Sequence, residues 1–212
     1  DNQSTLVHLL EKYRFVPVLD HSNKLQLIIA GDTVKREFSL GKDVIRSQED
    51  YISIAEIGNN HNGSIERAFK LIKLAKESGA NIVKFQMRDL ENLYGSEYDS
   101  HDLSTEYIIN LLNKVSLCDE DMYKCFDYCK EIGVTPLCTP FDLVSLSKVE
   151  SYGLDGYKVS SADLTNHELL SELVKTKKPL IVSTGMSNDE DIDAAIKLLD
   201  DNFVNYVLCH TN

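Results

Sequence analysis

One acidic and two basic side chains, Glu56, Lys84 and Lys158, occupy apolar, strand-like segments of this chain. The three segments are 51–58, 81–86 and 156–163. A charged side chain in an apolar setting costs free energy unless it is paired or meets a ligand. In parallel α/β proteins, ligands bind at the carboxyl ends of the strands. The pattern predicts a pocket where two lysines hold a small anion beside an acid that handles a proton or grips a sugar.

The overall charge of the chain argues against two classes of partner. The 212 residues carry a formal net charge of −12, and the pI is about 4.9. We therefore expect no binding to nucleic acid or to an anionic membrane surface, and no apolar run approaches the roughly 20 residues of a membrane span. The five cysteines show no disulfide or zinc spacing, and their apolar settings predict a cytoplasmic protein.

From residue 51 onward, strand-like and helical patterns alternate. Short apolar runs of this kind are typical of strands buried on both faces, and their alternation with helices predicts a parallel sheet. The predicted strands are 51–58, 81–86, 134–139, 156–162, 179–184 and 204–210, and the predicted helices are 64–78, 119–132, 142–152, 166–176 and 188–200, with a possible short helix at 104–115.

The ends of these strands favour a closed barrel over an open sheet. The chain has neither a G-x-G-x-x-G nor a G-x-x-x-x-G-K-[ST] motif, which an open nucleotide-binding sheet would carry. Polar or charged residues instead end nearly every strand, which is typical of a TIM (β/α)8-type barrel. Such a barrel needs eight strands, so we expect an α/β barrel truncated after about six.

Residues 1–50 do not share this repeat and form a separate small α+β segment before the barrel at 51–212. A helix near 4–13 and two strands joined by a turn resemble the second half of a CBS-like module, a regulatory nucleotide-binding unit. A packing appendage or a linker remnant explains the same pattern equally well. Residues 38–50 look like the chain leading into the barrel.

Six motifs stand in order at the predicted strand ends. They are AEIGNNHNGS (55–64), GANIVKFQ (79–86), TPFD (139–142), YKVSSADLTN (157–166), VSTGM (182–186) and LCHTN (208–212). Through them, residues 51–212 resemble the N-terminal part of the barrel of the sialic acid synthase family, which comprises N-acetylneuraminate synthase and its legionaminate and pseudaminate relatives.

The resemblance implies a transferase that condenses phosphoenolpyruvate with an N-acetylated hexose. The acceptor would be N-acetylmannosamine or a di-acetamido hexose, and the product a nine-carbon 2-keto sugar acid, with release of phosphate. It also implies a divalent metal, Mn2+ or Mg2+, that polarises the acceptor aldehyde, and a homodimer in the full-length protein.

Four residues are the predicted catalytic set. Lys84 and Lys158 would hold the carboxylate and phosphate of phosphoenolpyruvate as point charges, although each could form a salt bridge in the barrel mouth instead. By resemblance, Glu56 contacts the acceptor or assists proton transfer, and it could also pair with a barrel lysine. Asp163 would grip the acceptor, or alternatively cap the helix near residue 166.

Further polar residues complete the predicted substrate site. Hydroxyl and amide groups can donate hydrogen bonds to an anion or a sugar, and His61 either contacts the sugar or fixes its loop. Asp142, by contrast, is predicted to cap the following helix. The predicted substrate-binding residues are Asn59, His61, Thr139, Ser161, Ser183 and Asn212.

No metal ligand is predicted within the chain itself. The LCHTN motif carries Cys209 before His210, where the family more often has His before Cys. Because adjacent strand residues face opposite sides, the exchange brings a different side chain into the barrel and argues against a metal role for His210. We expect the ligands for the metal beyond residue 212.

Two other functions remain open at this point. Another phosphoenolpyruvate-dependent keto-sugar-acid synthase would need extra arginines for a phosphorylated acceptor, and arginine is scarce at these strand ends. A non-catalytic binding or regulatory fragment would rely on the CBS-like segment.

Overall fold

The computed structural model describes residues 37–46, 50–94 and 103–211. Within them a hairpin precedes a six-stranded parallel sheet in which each strand pairs with the next along the chain. The strands are β1 (Phe38–Leu40), β2 (Asp43–Ile45), β3 (Ile54–Gly58), β4 (Ile82–Met87), β5 (Thr135–Pro140), β6 (Tyr157–Val159), β7 (Leu180–Ser183) and β8 (Tyr206–Cys209). The helices are α1 (Ile65–Glu77), α2 (Leu90–Tyr94), α3 (Leu103–Val115), α4 (Asp119–Ile132), α5 (Leu143–Tyr152), α6 (His167–Lys175) and α7 (Asp189–Asp201).

This sheet confirms the predicted fold class. The strand order β3 to β8 follows the chain without a crossover, and the sheet curls into a half-barrel of the TIM type. The CBS-like segment predicted before residue 37 lies outside the described residues. In the part of the chain that the structure describes, no helix is long and apolar enough to cross a membrane.

Two local predictions differ from the structure. The strand predicted at 156–162 ends at Val159, because Ser161–Asp163 turns into a short 3-10 helix. No helix was predicted between β4 and residue 104, yet the structure has α2 there. Both differences lie beside the carboxyl ends of strands, where the chain leaves the sheet.

The helices begin and end at residues with the expected capping chemistry. Asp142 accepts a hydrogen bond from the backbone N–H of Ser145 at 2.7 Å, which confirms its predicted role as the N-cap of α5. Ser64 caps α1 in the same way, accepting from Arg67 N at 3.2 Å. These caps fix the connections that carry the loops at the strand ends.

Strand alternation divides the apolar side chains between two cores. Outward-facing residues such as Val83 and Phe85 pack against the helices in the larger core. Inward-facing residues such as Ile82 join the smaller interior core. This interior cluster consists of Phe38, Leu40, Ile45, Ile52, Ile54, Ile82, Leu137, Ile181, Val207 and Cys209.

The β1–β2 hairpin closes the amino end of the half-barrel. Its side chains belong to the interior cluster, and Asp43 Oδ2 accepts a hydrogen bond from Thr135 Oγ1 at 2.6 Å. The approach is close, because a Cβ on Gly156 would lie 2.4 Å from Leu40 Cδ1 and 2.5 Å from the Pro179 carbonyl oxygen. The hairpin therefore gives the interior an apolar floor below the carboxyl ends of the strands.

Replacing Gly156 tests how closely the hairpin and the residue before β7 pack around this position. Gly156→Ala is expected to lower the free energy of unfolding by roughly 3 kcal/mol, since the new methyl meets a backbone carbonyl that cannot move cheaply. Gly79→Ala is the control, because no atom lies within 4 Å of its Cβ position and only its positive φ of 85° opposes alanine, at about 1 kcal/mol. Urea denaturation measures both, and an equal loss in the two variants would contradict the close fit.

Candidate active site

Two lysines and one glutamate meet in the interior, just beyond the apolar floor. The parallel register places Glu56 on β3 beside Lys84 on β4, and Lys84 Nζ is ion-paired with Glu56 Oε2. The Lys84 side chain is 8% exposed and that of Glu56 is 18% exposed. Lys84 Nζ also lies 3.4 Å from Thr139 Oγ1 on β5. The salt bridge foreseen as an alternative for these residues is thus present, and it holds both groups at the predicted site.

Lys158 carries the less compensated charge of the two lysines. Its Nζ donates to Ser183 Oγ at 2.5 Å and to the carbonyl of Val159, and it forms no ion pair with a carboxylate among the described residues. Burial lowers its pKa to about 8, and the charge of Lys84 adds to that effect. The Lys158 ammonium group therefore loses its proton near pH 8, and an anion bound beside it would favour the charged form.

Asp163 faces the same cluster from the turn that follows β6. The side chain is buried and accepts a hydrogen bond from Ser160 Oγ, and its charge reaches Lys158. The alternative role as a helix cap is wrong, because Asn166 caps α6 by accepting from Leu169 N at 3.1 Å. The carboxylate of Asp163 is therefore not engaged by the backbone of α6.

The ends of β6, β7 and β8 meet through hydroxyl groups. Ser161 Oγ lies 3.0 Å from Thr211 Oγ1, which accepts a hydrogen bond from Gly185 N at 2.7 Å. A Cβ on Gly185 would lie 2.9 Å from Ser161 Oγ, so only glycine fits without a shift. The predicted contact Ser161 thus lies in a polar rim with Thr211, which the sequence analysis missed although it stands two residues beyond β8.

The loop between β3 and α1 contains a buried histidine with one unused nitrogen. His61 is 1% exposed, and its Nδ1 accepts a hydrogen bond from Gly63 N at 3.2 Å. Its Nε2 is buried without a hydrogen-bond partner among the described residues, as is Glu56 Oε1. Burial lowers the pKa of His61. One ring nitrogen therefore fixes the loop, as one alternative predicted, while the other is available for a ligand.

Two predicted contacts are less informative. Asn59 lies in the same loop, is half-buried, and uses its carbonyl to accept from Asn62 N at 3.0 Å. This backbone bond shapes the turn and leaves the role of its side chain as a prediction. Asn212 lies outside the described residues, so its predicted contact is untested.

The sequence analysis also missed an arginine at the end of β4. Arg88 follows the strand directly, and its Cζ lies 3.7 Å from the centroid of the Phe141 ring. One guanidinium nitrogen donates to Gln86 Oε1 at 2.8 Å. Burial lowers the pKa of Arg88, while Asp163 and Glu56 oppose that shift. The signal for Arg88 was its alternation with Lys84 and Gln86 along one strand.

The described residues do not by themselves form a centre for Mn2+ or Mg2+. Nowhere in 37–46, 50–94 or 103–211 do three or more His, Cys, Asp or Glu side chains cluster closely enough to hold a metal ion. Cys209 is buried in the interior cluster, whereas the next residue, His210, is exposed. The expectation that His210 takes no metal role stays a prediction.

Comparison with known proteins gives consistent similarities. Residues 71–212 match the NeuB family. The chain is 34% identical over 152 residues to N,N'-diacetyllegionaminic acid synthase of Campylobacter jejuni and 35% identical over 151 residues to the protein of that name in Legionella pneumophila. These alignments cover 69% and 68% of this chain but 46% and 42% of the relatives. The chain thus spans less than half the length of either relative.

A solved structure shows the same fold. The N-acetylneuraminic acid synthetase from Leptospira borgpetersenii, crystallised in complex with citrate, superposes with a TM-score of 0.73 at 24% identity. The match covers 82% of this chain and 58% of that one. The curled parallel sheet is therefore the architecture of a known synthetase barrel.

Substituting the two lysines should change stability in opposite directions. The folded-state pKa of Lys158, about 8, lies below the ordinary 10.5, so folding disfavours the charged form. The penalty is complete below pH 8, where both states are protonated, and it is relieved as the pH rises from 8 to 10.5. Lys158→Met should therefore stabilise the fold at pH 7 by roughly 3 kcal/mol, with the gain shrinking towards pH 10.

Lys84→Met is the matched comparison, because it leaves the half-buried carboxylate of Glu56 without its partner. We expect a loss of about 1–3 kcal/mol at pH 7. Denaturant unfolding of both variants and the unsubstituted protein at pH 7 and pH 10 checks the two signs. A Lys158→Met variant less stable than the unsubstituted protein at pH 7 would refute the assigned penalty.

Proposed function

The chain belongs to the NeuB family, and we propose that it forms part of the active site of a phosphoenolpyruvate-dependent synthase. The reaction is the condensation of phosphoenolpyruvate with N-acetylmannosamine or a di-acetamido hexose to a nine-carbon 2-keto sugar acid, with release of phosphate. The observation that carries the proposal is the pair of buried ammonium groups, Lys84 on β4 and Lys158 on β6, inside the parallel sheet.

The two buried lysines, Lys84 and Lys158, which we call the lysine layer, suit the anionic donor substrate. Phosphoenolpyruvate carries a carboxylate and a phosphate, and ammonium groups bind such oxygens as point charges. Lys158 has no carboxylate partner among the described residues, so its charge is open to the donor, and the hydroxyls of Ser183 and Thr139 lie beside the two ammonium groups. Because both lysines project from strands, they can hold the donor without reorganisation during the reaction.

The acid side of the cluster suits the sugar. The ion pair with Lys84 fixes the Glu56 carboxylate through Oε2, and its Oε1 is left without a partner. An acceptor hydroxyl can donate to Oε1, and another sugar oxygen can accept from Nε2 of His61. Asp163 lies within the electrostatic reach of Lys158 and supplies a further acceptor of hydrogen bonds. We propose that Glu56, His61 and Asp163 bind the acceptor sugar.

The chemistry then proceeds between the two bound substrates. C3 of phosphoenolpyruvate attacks the aldehyde carbon of the open-chain sugar, whose oxygen takes up a proton as the C–C bond forms. Water adds to the resulting cation at C2, and the tetrahedral intermediate loses phosphate by C–O cleavage. Lys84 and Lys158 position the donor and neutralise its charge throughout.

NeuB-family synthases depend on a metal, and we expect the ligands for Mn2+ or Mg2+ beyond residue 212. A homodimer and a cytoplasmic location complete the proposal. No disulfide joins any of the five cysteines, all of which lie in the described part of the chain, and this suits a reducing compartment.

Phosphate release from phosphoenolpyruvate by the natural full-length protein tests the function. The assay contains Mn2+ and offers N-acetylmannosamine, the di-acetamido hexoses and phosphorylated sugars in turn. Release that depends on one of these sugars would support the synthase and name its acceptor. Release with phosphorylated sugars only would favour another keto-sugar-acid synthase, and no release from a folded, metal-loaded protein would favour a binding or regulatory fragment.

Removing a lysine of the cluster should abolish most turnover. Lys84→Ala is expected to lower kcat/KM by on the order of 100-fold or more, because it removes a preorganised donor to the substrate anion. Lys197→Ala on the exposed surface of α7 is the control and should keep full activity. Full activity in Lys84→Ala would remove Lys84 from the active site.

The alkaline limb of the pH profile should report Lys158. Only the protonated lysine attracts the donor substrate. Because the pKa of Lys158 in the protein without ligand is about 8, kcat/KM for phosphoenolpyruvate should fall as the pH rises through that value. Lys158→Arg keeps its charge at every pH studied and should move this limb upward, even if its activity is lower. An unchanged limb in Lys158→Arg would show that another group titrates.

A further inference from the structure

Arg88 is held rigidly at the mouth of the half-barrel. The β4–β5 register pairs Met87 with Pro140, so the next residues, Arg88 and Phe141, lie side by side. The guanidinium stacks 3.7 Å from the centroid of the Phe141 ring, and one of its nitrogens donates to Gln86 Oε1 at 2.8 Å. One face and one edge of the planar group are therefore fixed before any ligand arrives.

The charge of Arg88 is not neutralised at close range. Among the described residues it forms no ion pair with a carboxylate within 4.0 Å, although Asp163 and Glu56 act on it from farther away. A guanidinium has five N–H donors, and the contact with Gln86 occupies one of them. The other guanidinium nitrogens are not among the buried polar atoms that lack a partner in the described part of the chain, so they are open to solvent and to a ligand.

Arg88 lies closer than Lys84 to the open end of the half-barrel. Lys84, Gln86 and Arg88 alternate along β4 and its continuation, so they share the inner face. At about 3.3 Å per residue, the Cα of Arg88 stands about 13 Å beyond that of Lys84 towards the open end, and the guanidinium reaches back to the side chain of Gln86. If the donor binds at Lys84 and Lys158, the second substrate lies between the lysine layer and Arg88.

We propose that Arg88 binds an oxygen group of the acceptor sugar and decides which acceptors the enzyme accepts. This assignment rests on the synthase function proposed above. The guanidinium donates N–H groups to oxygen, and the oxygen belongs either to an acetamido carbonyl or to a phosphate on the sugar. An arginine at the end of β4 also removes the objection that these strand ends lack the guanidinium a phosphorylated acceptor would need.

Steady-state kinetics of the natural full-length enzyme with Mn2+ tests the assignment. Phosphoenolpyruvate and the acceptor are varied separately for the unsubstituted enzyme, Arg88→Ala and Arg88→Lys. In Arg88→Ala we expect the acceptor KM to rise at least about tenfold while the KM for phosphoenolpyruvate changes less than about twofold. Arg88→Lys should restore little, because an ammonium neither stacks on Phe141 nor presents a planar set of donors.

Two matched variants separate recognition from folding. Arg67→Ala removes an exposed arginine from α1 and should leave both KM values unchanged. Phe141→Leu keeps the guanidinium but removes its aromatic support, so the acceptor KM should rise by less than in Arg88→Ala. Thermal unfolding of Arg88→Ala should occur within a few degrees of that of the unsubstituted enzyme, since the stack on Phe141 and one hydrogen bond are lost but no ion pair.

The acceptors used in the assay identify the oxygen. N-acetylmannosamine, its 6-phosphate and a di-acetamido hexose are compared, and a loss confined to the phosphorylated sugar assigns Arg88 to phosphate. Similar losses with every acceptor assign it to the acetamido carbonyl. A KM that rises for phosphoenolpyruvate instead, or for neither substrate, overturns the inference while the synthase function stands. If the unsubstituted enzyme uses no acceptor at all, the synthase function fails and this inference fails with it.

Discussion

Burial of two ammonium groups inside the curled sheet is the constraint on which the rest of the structure depends. Lys84 is compensated by the carboxylate of Glu56 on the neighbouring strand, whereas Lys158 has only neutral partners and a pKa lowered to about 8. Neither arrangement stabilises a fold by itself. Apolar burial in the larger core between the sheet and the helices must therefore offset the free energy that burying these charges costs.

The side chains inside the half-barrel form layers from its amino end to the carboxyl ends of the strands. The β1–β2 hairpin fills the amino end with apolar side chains, so solvent does not reach the lysines from below. Above them come the hydroxyls of Thr139 and Ser183, and above those the clamped guanidinium of Arg88. A chain with a net charge of −12 can still present a local cationic site, because among the described residues only two acidic side chains, Asp142 and Asp163, are buried.

Two unused hydrogen-bonding groups lie on the side of the site that we propose binds the acceptor sugar. Glu56 Oε1 and His61 Nε2 are both buried without partners among the described residues, although each belongs to a side chain whose other polar atom is engaged. The engaged atom fixes the orientation of the group, and the unused atom is then held ready for a ligand. Preorganisation of this kind costs free energy in the absence of substrate and lowers the cost of binding it.

The sequence by itself determined the parallel α/β architecture and the placement of Glu56, Lys84 and Lys158 on its strands, because periodicity and capping act over a few neighbouring residues. Only the tertiary structure decided which groups meet. Asn166, and not Asp163, caps α6. In the folded protein Glu56 forms an ion pair with Lys84, and Arg88 stacks on Phe141. Such contacts join residues far apart in the chain, and side-chain packing selects them after the strands have assembled, so no local pattern encodes them.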